Sequence, residues 1–168
     1  MDSLRYPIGR FKFDPEKARD VFIPYIIELP DQLSALVSEM SEKQLATPYR
    51  PEGWTGQQVV HHVADSHMNA LIRFKWTLTE ELPTIKPYLE AAWAQLPDVQ
   101  LPVEISLQLL EALHARWGAL LENMSEADWK RKLFHPESKR EFTLEQMLQL
   151  YAWHGQHHMG HLKLILGA

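Results

Sequence analysis

Seven of the nine histidines in this 168-residue chain fall in two short runs, HHVADSH at 61–67 and HGQHHMGH at 154–161. Both runs lie in segments that read as long helices, so the imidazoles are stacked at fixed angles on helix faces. An imidazole turned into a helical core needs partners for its ring nitrogens, because an unsatisfied buried polar group costs ~1–3 kcal/mol. Several such rings on facing helices raise that cost together, and one shared metal ion removes it.

The helices are marked by their caps and their apolar spacing. Thr55 with Gln58 makes a capping box, and residues 56–80 then run on without proline. Thr143 with Gln146 opens another helix, which runs to about Leu166 and closes at Gly167. Leucines at three- and four-residue intervals predict a helix over 104–123, and residues 15–40 predict one that Pro15 starts and that Pro24 and Pro30 kink or segment. TPYRPEG at 47–53 reads as a connection. Pro83, Pro87, Pro97 and Pro102 make 81–105 a long connection with room for a short helix over 88–96. Ser125 with Asp128 predicts one more short helix, and 133–142 a turn or small hairpin. The expectation is an all-α four-helix bundle, a single domain over 1–168, with a crossover connection between the second and third helices.

Composition narrows the function. A net charge of −5 and a pI near 6.0 give no basic field for nucleic acid or anionic lipid. The longest apolar stretch, 21–29, is interrupted by Pro24, and the first residues carry no secretory pattern, so no membrane association and a cytoplasmic location are expected. The chain has no cysteine, so any metal must be held by nitrogen and oxygen.

Helical projection then sorts the histidines. On the last helix Met147, Tyr151, Leu162 and Ile165 mark the inner face, opposite Glu145, Gln149, Gln156 and Lys163. His158 lies almost on the centre of that face with His154 nearby, while His157 and His161 centre roughly 85° away. Residues four apart stand one turn above each other, so His154 and His158 are suited to bind one ion. On the second helix the inner side runs through Val59, Val63, Ser66, Ala70 and Thr77; His61 projects outward, and His62 is favoured over His67 by a small margin. Asp65, one turn on, is a candidate to orient a ligand imidazole or move protons, and Glu90 is a second candidate base. Arg73 shares a face with His62 and Asn69, while Trp54, Trp117, Tyr151 and Trp153 are expected in packing.

Three neutral imidazoles suit Zn²⁺, Ni²⁺ or another late transition metal and leave a position open for water or substrate. Such an ion makes water a nucleophile at neutral pH, or binds a thiolate instead. HGQHH lacks the glutamate of H-E-x-x-H, which excludes a zincin protease.

The opening YPIGRF (6–11), the stretch TPYRPEGWTGQQVVHHVADSHMNALIRFKWTLTEE (47–81), HARW (114–117), FHPES (134–138) and LYAWHGQHHMGH (150–161) together resemble the DinB-like superfamily, and within it the YfiT type of metal-dependent hydrolases. The resemblance covers nearly the whole chain. It implies a four-helix bundle, a homodimer, and one Zn²⁺ or Ni²⁺ per subunit on His62, His154 and His158, which selects His62 over His67. The activity it implies is hydrolysis of a small-molecule substrate by metal-bound water. The superfamily also resembles thiol S-transferases that use bacillithiol, mycothiol or glutathione, which makes a metal-dependent thiol transferase the alternative. A non-catalytic metal-binding stress protein is the third reading. One departure is that Leu89, in place of an acidic residue, follows Tyr88 and precedes Glu90.

Overall fold

In the computed structural model, which describes residues 2–167, helices open where capping boxes stand. The chain runs through α1 (Asp2–Arg5), a 3₁₀ turn at Arg19–Val21, α2 (Ile23–Ile27), α3 (Leu29–Ser38), α4 (Glu42–Leu45), α5 (Gly56–Thr79), α6 (Glu90–Trp93), a second 3₁₀ turn at Pro97–Gln100, α7 (Val103–Glu122), α8 (Glu126–Trp129), the strands β1 (Lys132–His135) and β2 (Arg140–Thr143), and α9 (Leu144–Leu166). Thr55, Ser125 and Thr143 each accept the backbone N–H three residues on, and the side chain there returns the bond. Ser41 with Gln44 forms a further box at α4. Gly167 ends α9 with φ 80°, the left-handed region that glycine enters without steric cost.

The start of the 15–40 segment differs from expectation. Pro15 starts no helix, and the first regular turn begins at Arg19. Pro24 and Pro30 segment the helix as expected, each in the first turn of its own short helix, α2 or α3, where a missing N–H breaks no bond. The hairpin forms as expected, with Lys132 opposite Thr143 and His135 opposite Arg140.

The bundle consists of α2–α3, α5, α7 and α9. Both α5 and the α2–α3 segment pack against α7 and α9, which sets them at opposite corners. His61 meets Ser106 and His67 meets His114, so α5 and α7 run parallel. His62 meets His158 and Arg73 meets Tyr151, so α9 runs antiparallel to α5. Parallel neighbours need a return path, and residues 80–102 supply it. Ile85 N–H donates to the Phe134 carbonyl and Phe134 N–H to the Pro83 carbonyl, tying the connection to β1, and at the far end Gln57 and Gln58 donate to the carbonyls of Val99, Leu101 and Ala94.

The apolar interior forms two clusters. One gathers Ile26, Phe74, Trp117, Leu148 and Tyr151; the other gathers Leu29, Leu33, Val63, Leu110 and Leu162. Along α5, α7 and α9, buried His67, His114 and His158 fall between the two. Close helix approach supports this layer. A Cβ on Gly155 would lie 2.8 Å from Leu29 Cδ2 and 3.0 Å from Cδ1, and Leu29 is itself 1% exposed.

Alanine ordinarily gains about 1 kcal/mol over glycine inside a helix. At this position overpacking reverses the sign, and Gly155→Ala is expected to lose ~1–3 kcal/mol in urea unfolding. A variant as stable as the parent would contradict the close approach.

Candidate metal centre

α9 carries His154 and His158 one turn apart, and α5 presents His62 to them from the antiparallel neighbour. His62 Nε2 stands 3.2 Å from His154 Nε2, and one nitrogen from each of the three rings lies within 4.8 Å of the others. Trp54 packs its ring on His62 at 4.6 Å and stacks on His158 at 6.4 Å, closing the side towards the 47–53 connection.

The ring nitrogens behind these are committed by backbone carbonyls. The Ile26 carbonyl accepts from His114 Nδ1, so the proton of that neutral ring is on Nδ1 and its Nε2 is a bare acceptor. His67 Nδ1 donates to that acceptor at 2.9 Å, and His67 Nε2 in turn accepts from His154 Nδ1 at 3.1 Å. His154 Nε2 is thereby left with a lone pair directed at His62. A second relay begins at the Arg5 carbonyl, which accepts from His161 Nε2. His161 Nδ1 then accepts from His158 Nδ1 at 3.3 Å, which leaves Nε2 of His158 as the bare nitrogen. Burial, followed by neighbouring imidazoles, holds His67, His154 and His158 well below their ordinary pKa, so all three rings are neutral at pH 7. Burial likewise lowers His62 and His114 to about 4.

His157, His158 and His161 form a second cluster of potential ligands. All three come from α9, with His157 and His158 adjacent and therefore about 100° apart on the helix. The Nδ1 proton that His158 gives to His161 would have to leave for that cluster to close on an ion. His62, His154 and His158 need no such loss.

The site opens into a cavity of about 430 Å³ lined by His62, His154, His158 and Trp54, with Arg5, Arg50 and Glu90 also at its wall. Glu90 has its carboxyl raised, first by burial, against the opposing pull of Arg73. Asp65 lies elsewhere. It is pushed up to about 6 by burial and then by Asp98, which places it beside the Pro97–Gln100 turn, and it lines neither this cavity nor the neighbouring one. No hydrogen bond among the described residues joins its carboxylate to His61 or His62.

Two histidines depart from the projection. His61 is buried against α7, where Leu101 accepts from Nε2 at 2.9 Å and Ser106 Oγ meets Nδ1 at 2.7 Å. It turns away from α9 but not towards solvent, because α5 packs on two helices and so has two inner faces. His67 is fully buried and supports His154 from behind. His114, absent from the expected site, is its partner; its signals in the sequence are a polar residue amid the leucines of 104–123 and a place in the HARW segment.

The sequence pattern of the DinB superfamily matches residues 25–162. A Bacillus cereus (strain 03BB102) protein named "Putative metal-dependent hydrolase" is 50% identical over 165 residues, covering 96% of this chain and 95% of its own. A Bacillus anthracis (strain A0248) protein of the same name matches to the same extent, 50% over 165 residues. Among solved structures, YfiT from Bacillus subtilis, described as a probable metal-dependent hydrolase with an unusual four-helix bundle topology, superposes with a TM-score of 0.93 at 46% identity over 98% of both chains. A mycothiol-dependent maleylpyruvate isomerase superposes with a TM-score of 0.67 at 19% identity, over 86% of this chain and 60% of that one, a likeness of fold.

The buried imidazoles set the response to acid. Their folded pKa values lie below the ordinary 6.5, reaching about 4 in His62, His114 and His157. Below pH 6.5 the unfolded chain takes up protons that the folded chain refuses, so this stabilisation is complete above 6.5 and is lost as pH falls towards 4. Each such group removes up to ~1.4 kcal/mol per pH unit in that window. Melting temperature of metal-free protein is expected to fall steadily from pH 6.5 to 4.5; a flat profile would contradict buried neutral rings.

Proposed function

The chain belongs to the DinB superfamily, and from that premise we propose that it is a metal-dependent enzyme in which His62, His154 and His158 hold one Zn²⁺ or Ni²⁺ ion beside a small-molecule cavity. The observation that carries this is the convergence of three buried imidazoles, two of which have their other ring nitrogen committed elsewhere. Two relays ending on backbone carbonyls leave Nε2 of His154 and of His158 bare and close to His62. Tetrahedral ligation with bonds of ~2.0–2.1 Å separates ligand nitrogens by roughly 3.3 Å. The 3.2 Å between His62 Nε2 and His154 Nε2 agrees with that spacing. A donor set of three neutral nitrogens without sulfur suits a late transition metal.

When bound, such an ion supplies Lewis acidity and brings coordinated water or thiol towards a neutral pKa. The residues of the chain do the rest. His67 and His161 hold the tautomers of His154 and His158, and Trp54 covers two ligand rings and excludes water from that side. Of the two carboxyl groups at the wall, Glu52 and Glu90, it is Glu90, with its carboxyl raised, that is suited to exchange a proton with substrate. Hydrolysis is the reading that the named relatives favour.

The alternative, a thiol S-transferase of the bacillithiol type, draws on a specific observation. Asp65 stands away from the cavity and so is not a base for metal-bound water, whereas a thiol ionises readily on a metal without a dedicated base. Arg5 and Arg50 at the wall suit an anionic co-substrate. The ligand group holds three nitrogens, which leaves an open coordination position and disfavours a purely structural role. The same family reading extends to a homodimer in the cytoplasm; no helix among the described residues is long and apolar enough to cross a membrane.

Untagged protein analysed by inductively coupled plasma mass spectrometry is expected to carry about one zinc or nickel ion per chain, lost in both His62→Ala and His154→Ala. Full occupancy in either variant would refute the ligand set. Replacing the relay should weaken the site without removing it: His67→Phe is expected to lower zinc affinity ~10–100-fold in a chelator competition. Unchanged affinity would show that His67 serves packing alone.

A further inference from the structure

A second cavity of about 300 Å³ lies behind the first, and His154 and Glu90 belong to the walls of both. It is bounded by α5, α9, the hairpin and the crossover connection, and the metal reading makes no use of it. Its wall holds an arginine on the inside of the bundle. Arg73 is 9% exposed, donating one N–H to Tyr151 Oη at 3.0 Å and another to the Lys86 carbonyl at 3.2 Å. Its Nε is buried with no partner. Among the described residues no carboxylate lies within ion-pair distance of it. Glu90 acts on it only from beyond ion-pair distance; a buried guanidinium with no carboxylate in contact is costly to hold, and its planar fork is built to receive one.

Two other polar atoms at this cavity share the condition. Tyr88 Oη, near Ser66 but outside hydrogen-bond geometry, and His135 Nδ1 are both buried without a partner. Three of the six such atoms in the described chain therefore belong to one cavity. The opposite wall is apolar, formed by Phe142, Met147 and Leu150. Glu90 and Glu137 also border the space and act electrostatically on each other, which disfavours a dianion.

We propose that this cavity is a subsite for the carboxylate of a small monocarboxylic ligand with an apolar body, received by Arg73 with Tyr88 and His135 as further hydrogen-bonding groups. Its continuity through His154 makes it the holding end of a substrate whose reacting end lies at the three histidines. That last link rests on the metal reading above; the anion subsite itself does not.

The test uses phenylacetate and its neutral counterpart phenylacetamide, titrated by calorimetry into chelator-treated and zinc-loaded protein. Phenylacetate is expected to bind at least about tenfold more tightly than the amide, and Arg73→Met to abolish the difference. In the unaltered protein the Arg73 Nε–H resonance, assigned by its loss in Arg73→Lys, should shift as phenylacetate is added. This keeps the test open should Arg73→Met fail to fold. Equal affinity for acid and amide, or an unmoved Arg73 resonance at saturation, overturns the proposal. Zinc bound at the three histidines without phenylacetate binding overturns this inference alone, whereas phenylacetate binding without any zinc site supports it and overturns the metal reading alone.

Discussion

The arrangement depends on neutral imidazoles held inside a helical core by bonds that end on backbone carbonyls. An apolar bundle tolerates a polar layer only if every member is satisfied. Here the carbonyls of Ile26 and Arg5 each begin a chain of hydrogen bonds that passes through buried rings and stops at a bare nitrogen. Because a carbonyl can only accept, the direction of each chain is set at its origin. The free lone pairs are thus delivered to one place, next to His62, rather than left to local choice.

That layer shapes the packing around it. The apolar interior is divided into a cluster about Trp117 and Phe74 and another about Leu33 and Leu110, with the histidines between them. Helices must come close there, and Gly155 allows Leu29 to sit directly on α9. The carbonyl of Ile26 is reachable because the helix containing Pro24 and Pro30 is divided at just this level, which leaves α2 and α3 as separate short helices. The parallel course of α5 and α7 lets His61 meet Ser106 and, further along both helices, His67 meet His114. An antiparallel pair with a short loop would have reversed that order.

The cavities follow from the same geometry. The crossover connection covers the outside of α5, anchored by Gln57 and Gln58 at one end and by the backbone of Phe134 at the other. It brings Tyr88 and Glu90 over the bundle, so the region in front of the histidines and the region around Arg73 share a wall. Membership of the DinB superfamily and the fold shared with YfiT place this architecture among metal-dependent hydrolase relatives.

Much of this was legible in the residues themselves. Capping boxes at Thr55, Ser125 and Thr143 located three helix starts, because a cap is a local interaction that needs no partner from elsewhere. The spacing of His154 and His158 put both on one face, since helical rotation is a property of the backbone alone. What the sequence could not decide was which neighbour each face meets. His61 reads as outward when α5 has one inner side, and only packing against both α7 and α9 reveals a second. His67 and His114 are 47 residues apart, and their relay to His154 exists only once three helices are assembled. Asp65, one turn from His62 and so a reasonable companion, lines neither cavity, and burial together with the loop carrying Asp98, whose path no local rule specifies, raises its carboxyl instead. Local interactions fixed the helices and their histidine faces; the pairing of faces, and with it the two relays that commit the ring nitrogens behind His154 and His158, was decided by contacts between residues far apart in the chain.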